Sequence, residues 1–245
     1  MPDKKPREHA ESLESWAIEG KEGLPPVLAA TVILLREGEG GLETLMLRRN
    51  SKIVFGGMWV FPGGRLDAAD WQGVDAADEL AASRRAAERE ALEECGLQVA
   101  ADSMLPFSHW TPPPITPKRF LTWFFVARAG TGEVEIDDGE IKASEWLSAR
   151  QALERQAARE IELAPPTFVT LTELARWSRV DDALSAVARR TPERFATQIG
   201  VVPDVGPVAL WHGDAGYERV DPLIEGPRHR LTMAKGRGWT YDRTV

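Results

Sequence analysis

This chain of 245 residues predicts an α+β fold in which strands and helices are grouped along the sequence rather than alternating. Two apolar runs of strand length, "VLAATVILLRE" from Val27 and "RFLTWFFVARA" from Arg119, are the first observation. The second is a helix-compatible stretch between them, about 77–95. The third is that, one short helix in the N-terminal arm apart, the remaining helical patterns come after residue 145. Strands, one central helix, more strands and then helices fit a layered sandwich better than a regular βαβ series.

Taken in order, residues 1–24 read as a polar, loose arm with one short helix around "ESLESWAIEG". "VLAATVILLRE" and "ETLMLRR" are two strands joined through "GEGG", glycine supplying the turn. "FGGMWVFPGGRLDAADW" is glycine-rich, with a short apolar run from Met58 to Phe61. The central helix ends at Gly96, the residue suited to a left-handed cap. "HWTPPPITPKRF" reads as a rigid loop feeding the second apolar strand. "GEVEIDDGEIKASEWLSARQALERQAARE" passes from strand-like alternation into a helix. "PPTFVTLTELARW" and "VDDALSAVARR" are two more helices, the first entered through Pro165 and Pro166. Beyond about residue 200, "PVALWHG" and "HRLTMAKG" read as strands.

Composition bounds the function. A hydrophobic fraction of 43% with 28% charged residues suits a soluble globular domain. The net charge of −8 argues against a nucleic-acid backbone or an anionic membrane as main partner, though not against a phosphorylated substrate met through a cation. Cys95 is the only cysteine, so no internal disulfide forms and a reducing, cytoplasmic setting is expected. The charged start lacks the apolar core of a signal peptide, and no apolar run approaches the roughly 20 residues of a membrane span. One cysteine and four scattered histidines give no zinc spacing. The glycines of "GEGG" and "FGG" are wrongly spaced for a dinucleotide fingerprint.

The informative stretch is "REALEECGL", Arg89 to Leu97. Glu90, Glu93 and Glu94 stand at i, i+3 and i+4, on one helix face. They crowd the carbonyl end, where the helix dipole disfavours negative charge. A solvated acidic face would cost only about 0.2–0.5 kcal/mol per like-charge pair and is the plain reading. A divalent cation is the sharper one: Mg²⁺ takes carboxylate oxygens, waters and substrate phosphates, and would supply the missing positive charge.

This stretch resembles the second half of the Nudix box, whose family pattern is G-x5-E-x7-R-E-U-x-E-E-x-G-U with U apolar. Arg89, Glu90, Ala91, Glu93, Glu94, Gly96 and Leu97 match it in order, and Gly64 of "FPGG" matches its first glycine. The box is interrupted. From Gly64 to Arg89 is 25 positions where the pattern has 14, leaving about 11 inserted. The first glutamate of the pattern then falls on Asp70, counting forward, or on Ala81, counting back. An interrupted box beginning "GGRLDAAD" resembles the branch similar to peroxisomal coenzyme A diphosphatases.

The resemblance implies a Nudix-like α/β/α sandwich with a mixed sheet over 25–165, after an arm at 1–24. A helical extension and C-terminal tail at 166–245 would pack on the same domain. It implies hydrolysis, with Mg²⁺ or Mn²⁺, of a nucleoside diphosphate linked to another moiety, with coenzyme A or an acyl derivative as leading substrate. Glu93 and Glu94 would be metal ligands, and Glu90 a ligand or the proton acceptor. Arg89 would orient the cluster, Gly63 would offer a backbone carbonyl to the metal, and Glu140 would be a fourth carboxylate, with Asp137, Asp138 and Glu145 as competitors. Arg48, Arg49, Arg65 and Arg119 are candidates for the substrate phosphates. Trp59 and Trp110 are stacking candidates that more often prove to be core. The basic run "GPRHRLTMAKGRGW" reads as a solvated terminus or an anion contact. A nucleotide-binding or regulatory protein keeping the fold without turnover is the competing expectation, and the helical tail allows a homodimer.

Overall fold

The computed structural model describes residues 9–51 and 56–244. Strands β1 (Val27–Gly38) and β2 (Gly41–Arg49) form the expected hairpin, with Gly41 at φ 109° in the turn. After the short strands β3 (Trp59–Val60) and β4 (Gly63–Arg65), a 3-10 turn at Ala68–Trp71 and a loop take up the insertion. The central helix follows as α2 (Glu79–Cys95). Asp78 caps its first turn, accepting from the backbone N–H of Ala81, and Gly96 closes it at φ 71°.

Strands β5 (Leu105–Thr111), β6 (Phe120–Arg128) and β7 (Ile141–Leu147) complete most of the main sheet, with β6 parallel to β1 and antiparallel to β5. β5 lies where the sequence shows no strand signal. Pro106 sits at its bulge, where a residue without an N–H is tolerated. Helices α3 (Ala149–Ala157), α4 (Pro165–Leu174) and α5 (Val180–Ala188) come next.

Past α5 the chain is not helical. Strand β8 (Glu193–Ala196) runs parallel to β5 and is the last strand of the main sheet. After one residue, Thr197, the chain enters a second, antiparallel sheet of β9 (Gln198–Val202), β10 (Gly206–Leu210), β11 (His229–Thr232) and β12 (Thr240–Arg243), in the order β12-β11-β10-β9. The arm helix α1 (His9–Glu19) is docked rather than loose: Leu13 is 2% exposed, and the helix packs on β9 and β10. Residues 1–8 of the predicted arm lie outside the described residues.

Two apolar clusters fill the faces of the main sheet. Ala30, Val32, Leu34, Trp123 and Phe125 pack with Ala86, Ala87 and Ala91 of α2. Leu13, Ile33, Phe124, Trp110, Phe195, Trp211 and Leu231 belong to the other cluster, so arm, main sheet and second sheet share one core. The basic run is divided: His229 and Arg230 are buried, whereas Lys235 and Arg237 are exposed as expected of a solvated terminus. Arg230 is buried and makes a two-pronged pair with Asp214, Nε to Oδ2 at 2.7 Å and Nη2 to Oδ1 at 2.6 Å. Arg243 grips both oxygens of Glu193 at 2.8 Å.

Candidate active site

The site forms where α2 ends beside β4. Gly63 and Gly64 lie opposite Thr31 and Ala30 on the sheet margin. A Cβ on Gly64 would stand 2.3 Å from Glu90 Oε1, so only glycine lets that carboxylate lie against the strand. The backbone N–H of Gly63 donates to Glu94 Oε2 at 2.9 Å. The contact shown by Gly63 is thus through its N–H, where a carbonyl was expected to serve.

Arg89 organises the cluster. Its Nε and Nη2 reach Asp70 Oδ1 at 3.2 Å and Oδ2 at 3.0 Å, while Nη1 donates to Glu90 Oε1 at 2.8 Å and Glu93 Oε2 at 3.0 Å. Nη2 also donates to the carbonyl of Arg65 at 3.0 Å. The two ways of counting the box therefore resolve in favour of Asp70, which is 4% exposed and also accepts from the N–H of Asp67 at 2.8 Å. The insertion follows that aspartate, as the loop between the 3-10 turn and α2. The neighbouring acids raise the Arg89 pKa, the Asp70 hydrogen bonds most of all.

Arg49 is the second cation. The register of β2 with β7 shifts between Arg48 and Arg49, setting Arg49 opposite Ile141 and beside Glu140. Its Nη1 lies 3.5 Å from Glu94 Oε1 and its Nη2 3.0 Å from Glu140 Oε2. Glu140 is thereby brought to the cluster. Of its competitors, Asp137 lines the same cleft but accepts from the N–H groups of Glu140 and Ile141, Asp138 pairs with Lys142, and Glu145 pairs with Arg155.

Desolvation dominates the electrostatics. Burial pushes Glu94 up to about 8 against the opposing pull of Gly63 N–H and Arg49, and burial likewise raises Glu90. The carboxylates thus have partners at the crowded helix end: two guanidiniums stand where the sequence suggested metal. Among the described residues, no three acidic, imidazole or thiol groups are gathered in a ready metal cage. In kind, the donors suit a hard divalent cation: all are carboxylate oxygens, those of Glu90 and Glu94 are withdrawn from water, and Glu93 is 57% exposed at its side chain.

These residues line one end of a cleft of about 870 Å³. Arg65 lines it too and is exposed, whereas Arg48 is exposed outside the lining and Arg119 also lies outside it, donating to the carbonyl of Pro112 at 3.4 Å. Lys118, passed over in the sequence, lines the cleft in its place. Trp59 is core, under the guanidinium of Arg155, and Trp110 stacks on Phe195 with ring centroids 3.9 Å apart.

A mixed sheet between helices, with a carboxylate-crowded helix end opening on a cleft, is the architecture that the interrupted box leads one to expect. The NUDIX domain profile matches residues 25–168, more than half of the chain, and the chain belongs to that family, with the pyrophosphohydrolase activity it implies. Among solved structures, a NUDIX hydrolase from Alicyclobacillus acidocaldarius is 24% identical with a TM-score of 0.59, covering 66% of this chain and 96% of that one. The MutT NUDIX hydrolase from Burkholderia pseudomallei is 19% identical with a TM-score of 0.44, over 61% and 98%. The NUDIX domain of Shewanella oneidensis NrtR, complexed with ADP ribose, is 18% identical with a TM-score of 0.46, over 69% and 97%. The Alicyclobacillus protein shares the fold. Among the described residues no helix is long and apolar enough to cross a membrane.

Proposed function

We propose that the protein hydrolyses a nucleoside diphosphate linked to a second moiety, using Mg²⁺ or Mn²⁺ held by Glu90, Glu93, Glu94 and Glu140, with coenzyme A or an acyl derivative as leading substrate. The observation that carries this reading is the convergence of those carboxylates at one end of the cleft, with Arg89 clamped by Asp70 among them. A bound divalent cation would polarise a phosphoryl oxygen and lower the pKa of a bound water. Arg89 holds Glu90 and Glu93 in position from the same helix. Burial raises the Glu90 pKa from its ordinary value, against the pull of Arg89, which is the direction that makes a carboxylate a stronger proton acceptor. Arg49 and Arg65 face the same end of the cleft and suit phosphate oxygens, Arg49 by releasing Glu94 or Glu140 as substrate enters. The coenzyme A assignment is supported by the interrupted box and by the resemblance of "RFLTWFFVA" and "ELAPPTFVTLTEL" to the same branch, the cytoplasmic setting by the single cysteine, and homodimer formation is part of the same reading.

The test is a panel of acyl-coenzyme A, ADP-ribose, NADH and dinucleoside polyphosphates with Mg²⁺ or Mn²⁺, scored for phosphomonoester release. Glu93→Gln should lower turnover at least about a hundredfold. Full activity in that variant would remove the cluster from the chemistry.

A further inference from the structure

The cleft extends well beyond the carboxylates, and segments outside the matched domain complete its far part. Leu13 and Trp16 of α1, with Thr197 and Ile199 at the junction of the two sheets, line it, yet the family match begins at residue 25 and ends at 168. The floor is a ladder. Arg65 pairs with Ala29, Ala29 with Thr122, Thr122 with Trp110 and Trp110 with Phe195, so their side chains share one face of the main sheet. Three strand spacings separate Arg65 from Trp110, about 14 Å. That distance is far longer than a diphosphate bridge. The volume of about 870 Å³ also stands near the top of the range for small-molecule sites, about 300–1,000 Å³.

Chemistry changes along that ladder. The near end carries the acids and Arg49, Arg65 and Arg89, whereas the far wall is Leu13, Trp16, Trp110, Phe124, Ile199 and a run of prolines. Thr111, Thr167 and Lys118 also line the cleft, but three of its threonine hydroxyls are engaged within the protein. Thr116 donates to the Pro113 carbonyl at 2.9 Å, Thr122 to the Phe120 carbonyl at 3.1 Å, and Thr197 accepts from Trp211 Nε1 at 3.0 Å. A sugar placed there would meet few free partners for its hydroxyls, at a cost in unpaired polar groups. An alkyl or aryl group would bury apolar surface against side chains already in place.

We infer that this annex, built by α1 and the β8–β9 junction, selects substrates whose second moiety presents an extended apolar group, and that Leu13 and Trp16 are specificity-determining residues. The inference deepens the hydrolase reading and rests on it for placing the diphosphate at the carboxylate end.

Calorimetry in Mg²⁺ with two non-hydrolysable probes tests it: the β-octyl and β-methyl esters of α,β-methylene-ADP. The octyl ester should bind about tenfold tighter or more, the gain expected of methylenes entering an apolar pocket. Trp16→Ala and Leu13→Ala should shrink that ratio. Trp16 is only partly buried, so its variant is the one expected to stay folded, with thermal melting as the check. Equal affinities, no binding of either ester, or an undiminished ratio in the folded Trp16→Ala protein overturns the inference. Turnover of the corresponding ADP esters is scored separately. An octyl preference in binding with no turnover of either would sink the hydrolase reading and leave the annex standing.

Discussion

The acid cluster at the end of α2 and the acid–arginine pairs of the second sheet use the same side chains to different effect. At the end of α2, five carboxylates, Asp70, Glu90, Glu93, Glu94 and Glu140, share two guanidiniums, Arg49 and Arg89. In the second sheet, Arg230 answers Asp214 and Arg243 answers Glu193, one for one. At Asp214 burial pushes upward, but Arg230 and the N–H groups of His229 and Gly216 outweigh it, and the pKa falls. Glu94, nearly as buried, rises to about 8. Balanced pairs hold structure together, while an acidic excess in a cleft leaves room for further positive charge.

Three changes would break or sharpen that contrast. Asp214→Ala strands a buried guanidinium and should cost about 3–5 kcal/mol, read from urea unfolding. A loss under about 1 kcal/mol would mean that the pair is not structural. Asp70→Asn removes the charge that orients Arg89 and should lower turnover about 10–100-fold with the fold intact, as loss of a supporting carboxylate does. Unchanged kinetics would make that clamp incidental.

The third change concerns the pH dependence of stability at Glu94, in metal-free protein. Its folded value of about 8 lies above an ordinary value of about 4.3, so within that window the folded form holds a proton the unfolded form lacks. Stability from this group therefore falls as pH rises, by up to about 1.4 kcal/mol for each pH unit of the window, and Glu94→Gln should gain on the parent across it, in EDTA. Asp214 has the opposite sign: its contribution is present above about 3.9 and is lost as pH falls through its lower folded value. Urea midpoints from pH 3 to 8 separate the two, and parallel curves for parent and Glu94→Gln would remove the asymmetry.

Legibility followed how local each determinant is. β1, β2, β6 and the helices α2, α4 and α5 carry their own periodicity or caps, so the sequence displays them. β5 is obscured by Pro106, and β8, β9 and β12 are four or five residues long, strands only because partners lie alongside. The acids were readable because three of them share one helix face. Asp70 was readable only as one of two positions, with Ala81, since its role is fixed by how the loop sets it against Arg89, 19 residues later. Arg119 and Lys118 are neighbours, and only the course of the proline loop decides which faces the cleft. The docking of α1 depends on strands more than 170 residues away.

The single parallel pairing of β8 onto β5 has a practical corollary for anyone trimming this chain. Cutting it at the family boundary would strip β5 of its neighbour and present a bare row of amide and carbonyl groups along Ser108–Thr111, an invitation to intermolecular zippering. A shortened enzyme would lose that seal together with the core side chains Phe195, Trp211 and Leu231, and should come out of expression as aggregate.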